Sequence, residues 1–354
     1  MTVHEWNHAN FSFHSTPSAH ISVPSDMRIA NAILADFTYD GRTDVLVMAS
    51  STSRASPPLS MFLWPMLPDG QLGEPISLPA SMDAQPMSVD AAGSLRGDLL
   101  GHAHSSPDTL SVWRNVDGQM RLETPVMNGH IPPCRLAHPH SSANVDINGD
   151  CLADLFLVCQ GARSGQLTYQ IWTAQRDAPR TFAYARSGML PEGTGALSFA
   201  DMNRDGTIDV VYATCDGECR INVAYNRQIP LCVPAKEGII GTWDARPQRC
   251  RDALELCTAD DDFSLTFDDV ASVSAIEATG DLRLQMIDGR PAPLRVGDLN
   301  SDGYPEVLVI SADRRTRVHV LENTHCERSE CAIPGGRVLR RVRESVFDTI
   351  ADIE

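Results

Sequence analysis

Long apolar runs are missing from this 354-residue chain, and basic residues are few. No segment reaches the roughly 18 consecutive apolar residues of a membrane-spanning helix, and the first residues lack the apolar core of a signal peptide. Lys and Arg number 29 against 46 Asp and Glu, which gives a net charge of −17 at pH 7. Because such a surface repels a phosphate backbone, we expect no nucleic-acid partner.

Sequence patterns of known catalytic sites are also missing. Neither G-x-S-x-G nor H-E-x-x-H occurs, although "HAHSS" (102–106) and "HPHSS" (138–142) place histidines beside serines. An enzyme needs an acid, base or nucleophile that converge on one point. We therefore predict no enzyme, and we interpret His102, His104, His138 and His140 as loop histidines on one face of the fold.

The ten cysteines include three close pairs in polar segments. These pairs are Cys215 with Cys219, Cys250 with Cys257, and Cys326 with Cys331. Such pairs are typical of short disulfide-closed loops in an oxidising compartment, whereas a zinc site needs two converging pairs or histidine partners. The spacing favours disulfides and leaves unpaired cytosolic thiols as the alternative.

An acid-rich pattern, D-x-[NT]-x-D-x-x-x-[DE] followed by an apolar run, occurs four times. The four copies begin at Asp36, Asp146, Asp201 and Asp298. A faded copy at 90–98 keeps the first and ninth acids but has Ala92 and Ser94 between them. The starts fit a repeat of about 50 residues. This period predicts an unseen copy near 250, where a cysteine-bearing insertion over about 232–262 interrupts the pattern, and a further copy starting at Asp352.

Each copy predicts strands and no helix. The acids are followed by one strand-like run and then a second, such as "DVVYATC" and "CRINVAYN", and no unit holds a sustained helical period. Repeats of this length predict an all-β fold, a β-propeller of about seven four-stranded blades. We expect it to occupy residues 1–354 as a single domain and to be incomplete at its C-terminus, where the chain stops inside a repeat.

The acids of each copy have the spacing of a calcium loop. Oxygen ligands at positions 1, 3 and 5 point inward when a loop curls around a cation, the carbonyl of position 7 joins them, and a carboxylate at position 9 closes a shell of about six to eight oxygens. Glycine at position 6, such as Gly206, allows a positive φ there. The predicted ligands are Asp36, Thr38, Asp40, Arg42 and Asp44; Asp146, Asn148, Asp150, Leu152 and Asp154; Asp201, Asn203, Asp205, Thr207 and Asp209; and Asp298, Asn300, Asp302, Tyr304 and Glu306.

Other interpretations of these loops are weaker. An EF-hand needs Glu at position 12 and flanking helices, but the twelfth residues are Val47, Leu157, Tyr212 and Val309. Simple Asx-turns would explain one isolated copy. In four copies in register, however, each loop brings together carboxylates that repel one another. This repulsion favours a bound cation over a simple turn. Transition metals are disfavoured because no His or Cys occupies a ligand position. Ranked by how well their residues fit a calcium site, the loops follow the order 201, 298, 36 and 146.

The loops, their flanking strands and their period resemble the FG-GAP repeats of integrin α-subunit propellers and their VCBS-type relatives. The stretches "GALSFADMNRDGTIDVVYATC" and "LADFTYDGRTDVLVM" are particularly similar to the T-cell immunomodulatory protein family. The resemblance implies a secretory-pathway ectodomain on the extracellular or lumenal side of a membrane, with a leader and a membrane anchor that this sequence lacks. One acceptor sequence for N-glycosylation, Asn10-Phe11-Ser12, is compatible with that location.

The sequence therefore predicts a non-catalytic, Ca²⁺-binding propeller that acts as a protein-interaction or cell-adhesion platform. A protein ligand would contact loops on one face of the blades. Carbohydrate recognition through Trp and Tyr on these loops is the alternative, and a propeller hydrolase or lyase is the third candidate.

Overall fold

The computed structural model describes residues 1–53, 58–91, 93–138, 140–163, 165–216, 218–229, 232–234, 248–253, 255–267, 273–277, 283–287, 289–312, 318–325 and 337–341. All regular structure in these residues is β, which confirms the all-β prediction. Among them, no helix has the length and apolar character needed to cross a bilayer. The chain forms two compact units, Met1–His140 with Ala174–Tyr184, and Ser141–Thr173 with Ala185–Glu354.

The first unit contains two short antiparallel strand pairs and two antiparallel four-stranded sheets. Its strands are β1 (Thr2–Val3), β2 (Trp6–Asn7), β3 (Ser12–Phe13), β4 (Ala19–His20), β5 (Met27–Ala35), β6 (Asp44–Ser51), β7 (Leu59–Trp64), β8 (Ile76–Ser81), β9 (Met87–Val89), β10 (Asp98–His102), β11 (Leu110–Val116), β12 (Gln119–Glu123) and β13 (Val126–Asn128). β1 pairs with β4 and β2 with β3. The sheets have the orders β5-β6-β7-β8 and β9-β10-β11-β12.

The second unit is built in the same way. Its strands are β14 (Ala143–Val145), β15 (Asp154–Gln160), β16 (Leu167–Ala174), β17 (Thr181–Met189), β18 (Thr194–Ala200), β19 (Asp209–Asp216), β20 (Glu218–Ala224), β21 (Cys232–Pro234), β22 (Gln248–Cys250), β23 (Val273–Glu277), β24 (Met286–Ile287), β25 (Arg290–Pro291), β26 (Arg295–Gly297), β27 (Glu306–Ile310), β28 (Val318–His325) and β29 (Arg337–Arg341). β17 begins in the first unit, where it pairs with β13 in parallel. β14, β15 and β16 pair antiparallel, and two four-stranded sheets follow, β18-β19-β20-β23 and β26-β27-β28-β29.

The second strand of each sheet is a near-continuous apolar run because it is central and covered on both faces. β6 is buried along all but its last residue, whereas β5 alternates between half-buried and exposed positions. Core clusters lie between successive sheets of a unit. In the first unit Leu46 packs in one cluster with Leu99 and Trp113, and in the second Val211 packs in one cluster with Val307.

The long gap between the loops at 201 and 298 holds one sheet and an insertion. β20 and β23 belong to the same sheet, and the β21-β22 pair lies between them in the chain. The described residues of this gap contain no further acid loop, so the copy predicted near 250 is not found among them, and the bounds of the predicted insertion stay a prediction. The copy predicted at Asp352 lies outside the described residues.

The disulfides follow the cysteine pattern only in part. Cys215 and Cys219 are bonded, as predicted. The predicted pairing of Cys250 with Cys257 is wrong, because Cys257 is bonded to Cys151, 106 residues away. The fold, and not chain proximity, brings these two together. Cys134, Cys159 and Cys250 are also disulfide-bonded, and Cys326 and Cys331 lie outside the described residues. Disulfides fit an oxidising, extracellular or secretory compartment.

Candidate functional site

The candidate site is a set of five equivalent loops, each joining the first and second strands of a sheet. The loops are 36–44, 90–98, 146–154, 201–209 and 298–306. Their flanks are strands, as the sequence predicts. The loop at 90 keeps the same shape although its middle ligand positions are lost.

All five loops share an unusual backbone. The fourth and sixth residues have positive φ in every copy. The fourth residues are Tyr39, Gly93, Gly149, Arg204 and Ser301, and the sixth are Gly41, Leu95, Cys151, Gly206 and Gly303. The prediction for Gly206 is confirmed, with φ at 87°. Non-glycine residues rarely adopt this region, so other contacts must hold the loops in this conformation.

Backbone hydrogen bonds to the acids supply those contacts. In the loop at 201, the Asp201 carboxylate accepts from the Asp205 amide at 3.1 Å. Asp205 accepts from the Thr207 amide at 2.9 Å, and Asp209 accepts from the Met202 amide at 2.9 Å. In every loop the first-position carboxylate accepts from the amide of position 6, and the ninth-position carboxylate accepts from the amide of position 2. The acids therefore shape the turns in addition to any role as ligands.

The ninth-position acids Asp44, Asp98, Asp154, Asp209 and Glu306 are all buried. In three of them the second carboxylate oxygen accepts an amide from the end of the third strand of the same sheet, from Met66, Asn115 and Asn226. Glu306 differs, because its Oε1 is buried and has no hydrogen-bond partner among the described residues. A buried carboxylate oxygen without a donor is costly, so a cation at this loop would remove that cost.

The environment of the loop at 201 disfavours ionisation of its buried acid. Burial, with a contribution from the carboxylates of Asp205 and Asp201, raises the pKa of Asp209 to about 8. No ion pair to these three acids occurs among the described residues. In the loop at 36, by contrast, Arg42 forms an ion pair with Asp40 at 2.6 Å.

The structure brings some of the predicted ligands together and not others. Amide groups at position 3 contact carboxylates at position 5: Asn203 donates to Asp205 at 2.9 Å and Asn300 to Asp302 at 3.3 Å. No group of three His, Cys, Asp or Glu side chains among the described residues is already arranged around one point for a metal. The oxygen-only donors and the unsatisfied Oε1 of Glu306 nevertheless fit calcium in chemistry. The ligand sets stay predictions.

Three asparagines connect the loops at 36, 146 and 201 to the next sheet of their unit, and the sequence analysis did not identify them. Asn115 donates to the carbonyl of Phe37 at 2.9 Å. Asn226 and Asn323 donate in the same way to the second residue of the preceding loop, at 2.9 and 2.8 Å. Each asparagine lies 17 residues after the ninth-position acid of its own copy, a spacing that could have revealed it.

Neighbouring loops also contact each other through a cation–π pair. Arg96 lies 4.2 Å from the ring of Tyr39. The residue types are exchanged in the second unit, where Arg204 lies 5.7 Å from the ring of Tyr304. In both cases position 4 of one loop meets position 7 of the next, so the loops of each unit form one connected end.

The loop at 146 is covered by the insertion. Besides the Cys151–Cys257 disulfide, the Asp260 amide donates to the carbonyl of Asn148 at 2.8 Å. Asn148 and Asp150 are buried as a result, unlike their exposed or half-buried counterparts in the loop at 201. The cysteine at position 6 thus has a structural reason.

A cavity of about 550 Å³ lies in the second unit, at the strand ends opposite the acid loops. Arg163, Glu192 and Thr194 line it together with Met189 and Leu190. Arg163 and Glu192 are exposed and form no ion pair among the described residues. None of the described lining residues is aromatic.

The structure places one of the four predicted loop histidines inside a strand. His102 is buried in β10 instead of on a loop face, and its Nε2 contacts the carbonyl of Cys134 at 3.3 Å. His140 contacts the carbonyl of Gln85. Burial lowers the pKa of both rings. The interpretation as face histidines is wrong for His102 because β10 extends through it.

Comparisons with known proteins support the sequence resemblance. Residues 146–212 match the family model of the FG-GAP-like repeat. The chain is 25% identical over 321 residues to a T-cell immunomodulatory protein homolog of Plasmodium falciparum (isolate 3D7), covering 82% of this chain and 44% of that protein. It is 30% identical over 197 residues to the homolog of Plasmodium yoelii yoelii, covering 49% and 26%. With the human T-cell immunomodulatory protein, identity is 22% over 314 residues, covering 86% and 45%. The chain spans less than half the length of these relatives.

Proposed function

We propose that this chain is a non-catalytic FG-GAP propeller domain, stabilised by Ca²⁺, that binds a protein partner outside the cell. Four-stranded sheets with acid loops between their first two strands support the propeller. The repeat match, the similarity to T-cell immunomodulatory proteins and the disulfides support an extracellular interaction role.

One observation carries the calcium proposal. The loop at 298 contains a buried carboxylate oxygen, Glu306 Oε1, that no described donor satisfies, and the acids Asp298 and Asp302 belong to the same loop. A bound Ca²⁺ would supply the missing positive charge. Backbone amides orient the carboxylates of this loop without an ion. The Asp302 amide donates to the Asp298 carboxylate, and the Tyr304 amide donates to the Asp302 carboxylate. The loop at 201 has the same residues at positions 1, 3 and 5, with Asp209 in place of Glu306, and is the second site.

The partner would contact the end of the strands opposite the acid loops. The cavity there presents charges of both signs, Arg163 and Glu192, with Met189 and Leu190 between them in the lining. A peptide segment matches such a surface better than a sugar, because sugar-binding sites usually stack the ligand on aromatic rings and the described lining has none. Saturable binding to a glycan array would favour the lectin alternative.

Thermal unfolding tests the calcium proposal. We expect Asp205→Ala to lower Tm in chelator through its lost hydrogen bonds and to lower Tm further in millimolar calcium, because the ion binds only the folded state. A ligand at 100 times its Kd adds about 2.7 kcal/mol per site. Asp108→Ala, an exposed acid outside the loops, is the matched control. Equal losses with and without calcium would mean that Asp205 acts through its hydrogen bonds alone.

A further inference from the structure

An exposed aromatic patch lies on the β2-β3 hairpin and consists of Trp6, Phe11 and Phe13. Their exposed fractions are 38%, 83% and 65%. The Trp6 ring lies 5.1 Å from each of the other two, in nearly perpendicular arrangements. Contiguous exposed apolar groups on a soluble protein usually mark a surface that something else covers.

The turn of the same hairpin carries the acceptor sequence Asn10-Phe11-Ser12. Asn10 and Ser12 are exposed, and neither the Asn10 side-chain amide nor the Ser12 hydroxyl makes a hydrogen bond among the described residues. Both groups are therefore accessible to a modifying enzyme.

The turn is also held in a fixed conformation. The amides of Ala9 and Asn10 donate to the Asn7 side chain at 2.9 and 3.2 Å. Strand pairing places Asn7 opposite Ser12 and Trp6 opposite Phe13. The acceptor asparagine thus lies next in sequence to the most exposed ring of the patch, Phe11.

We propose that Asn10 is N-glycosylated and that the first sugars of its glycan cover the patch of Trp6, Phe11 and Phe13. In the transfer, Asn10 Nδ2 forms a bond to the anomeric carbon of an oligosaccharide carried on a polyprenyl pyrophosphate. The bond between that carbon and the pyrophosphate oxygen breaks, the lipid pyrophosphate leaves, and the amide releases one proton. A glycan is bulky and solubilising, and its sugar C–H groups can pack on aromatic faces.

A membrane surface is the competing occupant of the patch, and the charge distribution opposes it. Surface-bound segments combine apolar side chains with Lys and Arg that attract anionic lipids. The first Lys or Arg of this chain is Arg28, and the net charge is −17. An attached glycan needs no such charge.

The modification is tested by secreting the full chain from eukaryotic cells behind a cleavable leader. We expect its intact mass to exceed the peptide mass by at least one N-glycan, and peptide-N-glycosidase to remove the excess. Ser12→Thr keeps the acceptor sequence and the excess mass, whereas Ser12→Ala loses both. Unmodified mass in both the wild-type chain and Ser12→Thr would overturn the proposal.

Covering of the rings is tested separately on the same material. Enzymatic removal of the glycan should increase the fluorescence of the apolar dye 1-anilinonaphthalene-8-sulfonate, and the double variant Phe11→Ala, Phe13→Ala should abolish that increase. Circular dichroism checks that each variant is folded. Unchanged dye binding after glycan removal, or binding of the glycosylated chain to phosphatidylserine vesicles, would show that the sugars do not cover the patch.

Discussion

At the residue scale, each acid of a loop has a defined structural partner. The first-position carboxylate accepts backbone amides inside the loop, and the buried ninth-position carboxylate ties the loop to its own sheet. Asx-type bonding of this kind is how Asp favours turns. The same atoms therefore build the loop and provide the oxygen donors that calcium prefers.

The asparagine that connects neighbouring copies can be tested directly. Asn115→Ala leaves the Phe37 carbonyl and the Gly118 amide without their partner. A buried polar group left unsatisfied costs about 1–3 kcal/mol, so we expect a loss of that size in urea unfolding. Asn128→Ala, at an exposed position of β13, is the control and should change the unfolding free energy little. A comparable loss in the control would remove the special role of Asn115.

Two histidines, the buried His102 and the half-buried His140, predict a pH dependence with a definite sign. Burial lowers the pKa of His102 and His140 in the folded state, while the unfolded value is about 6.5. Below about pH 6.5 the unfolded chain binds more protons, so their contribution to stability is lost as pH falls from that value through the folded pKa. We expect the wild-type chain to lose more stability between pH 7 and pH 5 than the double variant His102→Gln, His140→Gln, measured in chelator. An equal loss of stability with falling pH in the wild-type chain and the double variant would contradict the role given to these histidines.

At the element scale, the insertion between β20 and β23 is attached to the loop at 146 by a disulfide and a backbone hydrogen bond. It explains why a cysteine occupies the glycine position of that loop. The disulfide closes a loop of 106 residues, whereas Cys215–Cys219 closes one of 4.

Removing each disulfide in turn measures how much it contributes to the free energy of unfolding. A cross-link that closes a longer loop restricts the unfolded chain more: the expected stabilisation is about 4.8 kcal/mol for the long loop and about 2 kcal/mol for the short one. We expect Cys151→Ser with Cys257→Ser to lower the free energy of unfolding more than Cys215→Ser with Cys219→Ser. Urea denaturation without reductant measures both. A larger loss of unfolding free energy on removal of the Cys215–Cys219 bond would argue against stabilisation by the Cys151–Cys257 bond.

The same scale shows what the sequence could and could not predict. Strands such as β6, β15 and β19 were predictable because a local apolar run follows each loop, and the positive φ at Gly206 because glycine is placed for it. The Cys151–Cys257 bond, the buried position of His102 and the Asn115 contact depend on residues far apart in the chain. Periodicity carries no information on such pairs, except for the constant spacing of the asparagines.

At the scale of the whole molecule, each unit is a run of similar sheets whose acid loops lie at one strand end. The loops concentrate part of the chain's net charge of −17. Contacts of the same kind recur between successive copies: an asparagine to a carbonyl, and an arginine to a tyrosine ring. A cation in each loop would stiffen this end while the opposite end stays available for a partner.

Equilibrium dialysis with radioactive calcium tests the central claim most directly. The full chain, its fold checked by circular dichroism, is measured beside a variant carrying Asp205→Asn and Asp302→Asn. We predict saturable calcium binding by the wild-type chain and the loss of two ions per molecule in the variant. Absence of saturable binding at millimolar calcium in the folded wild-type chain, or equal binding by both proteins, would contradict the account.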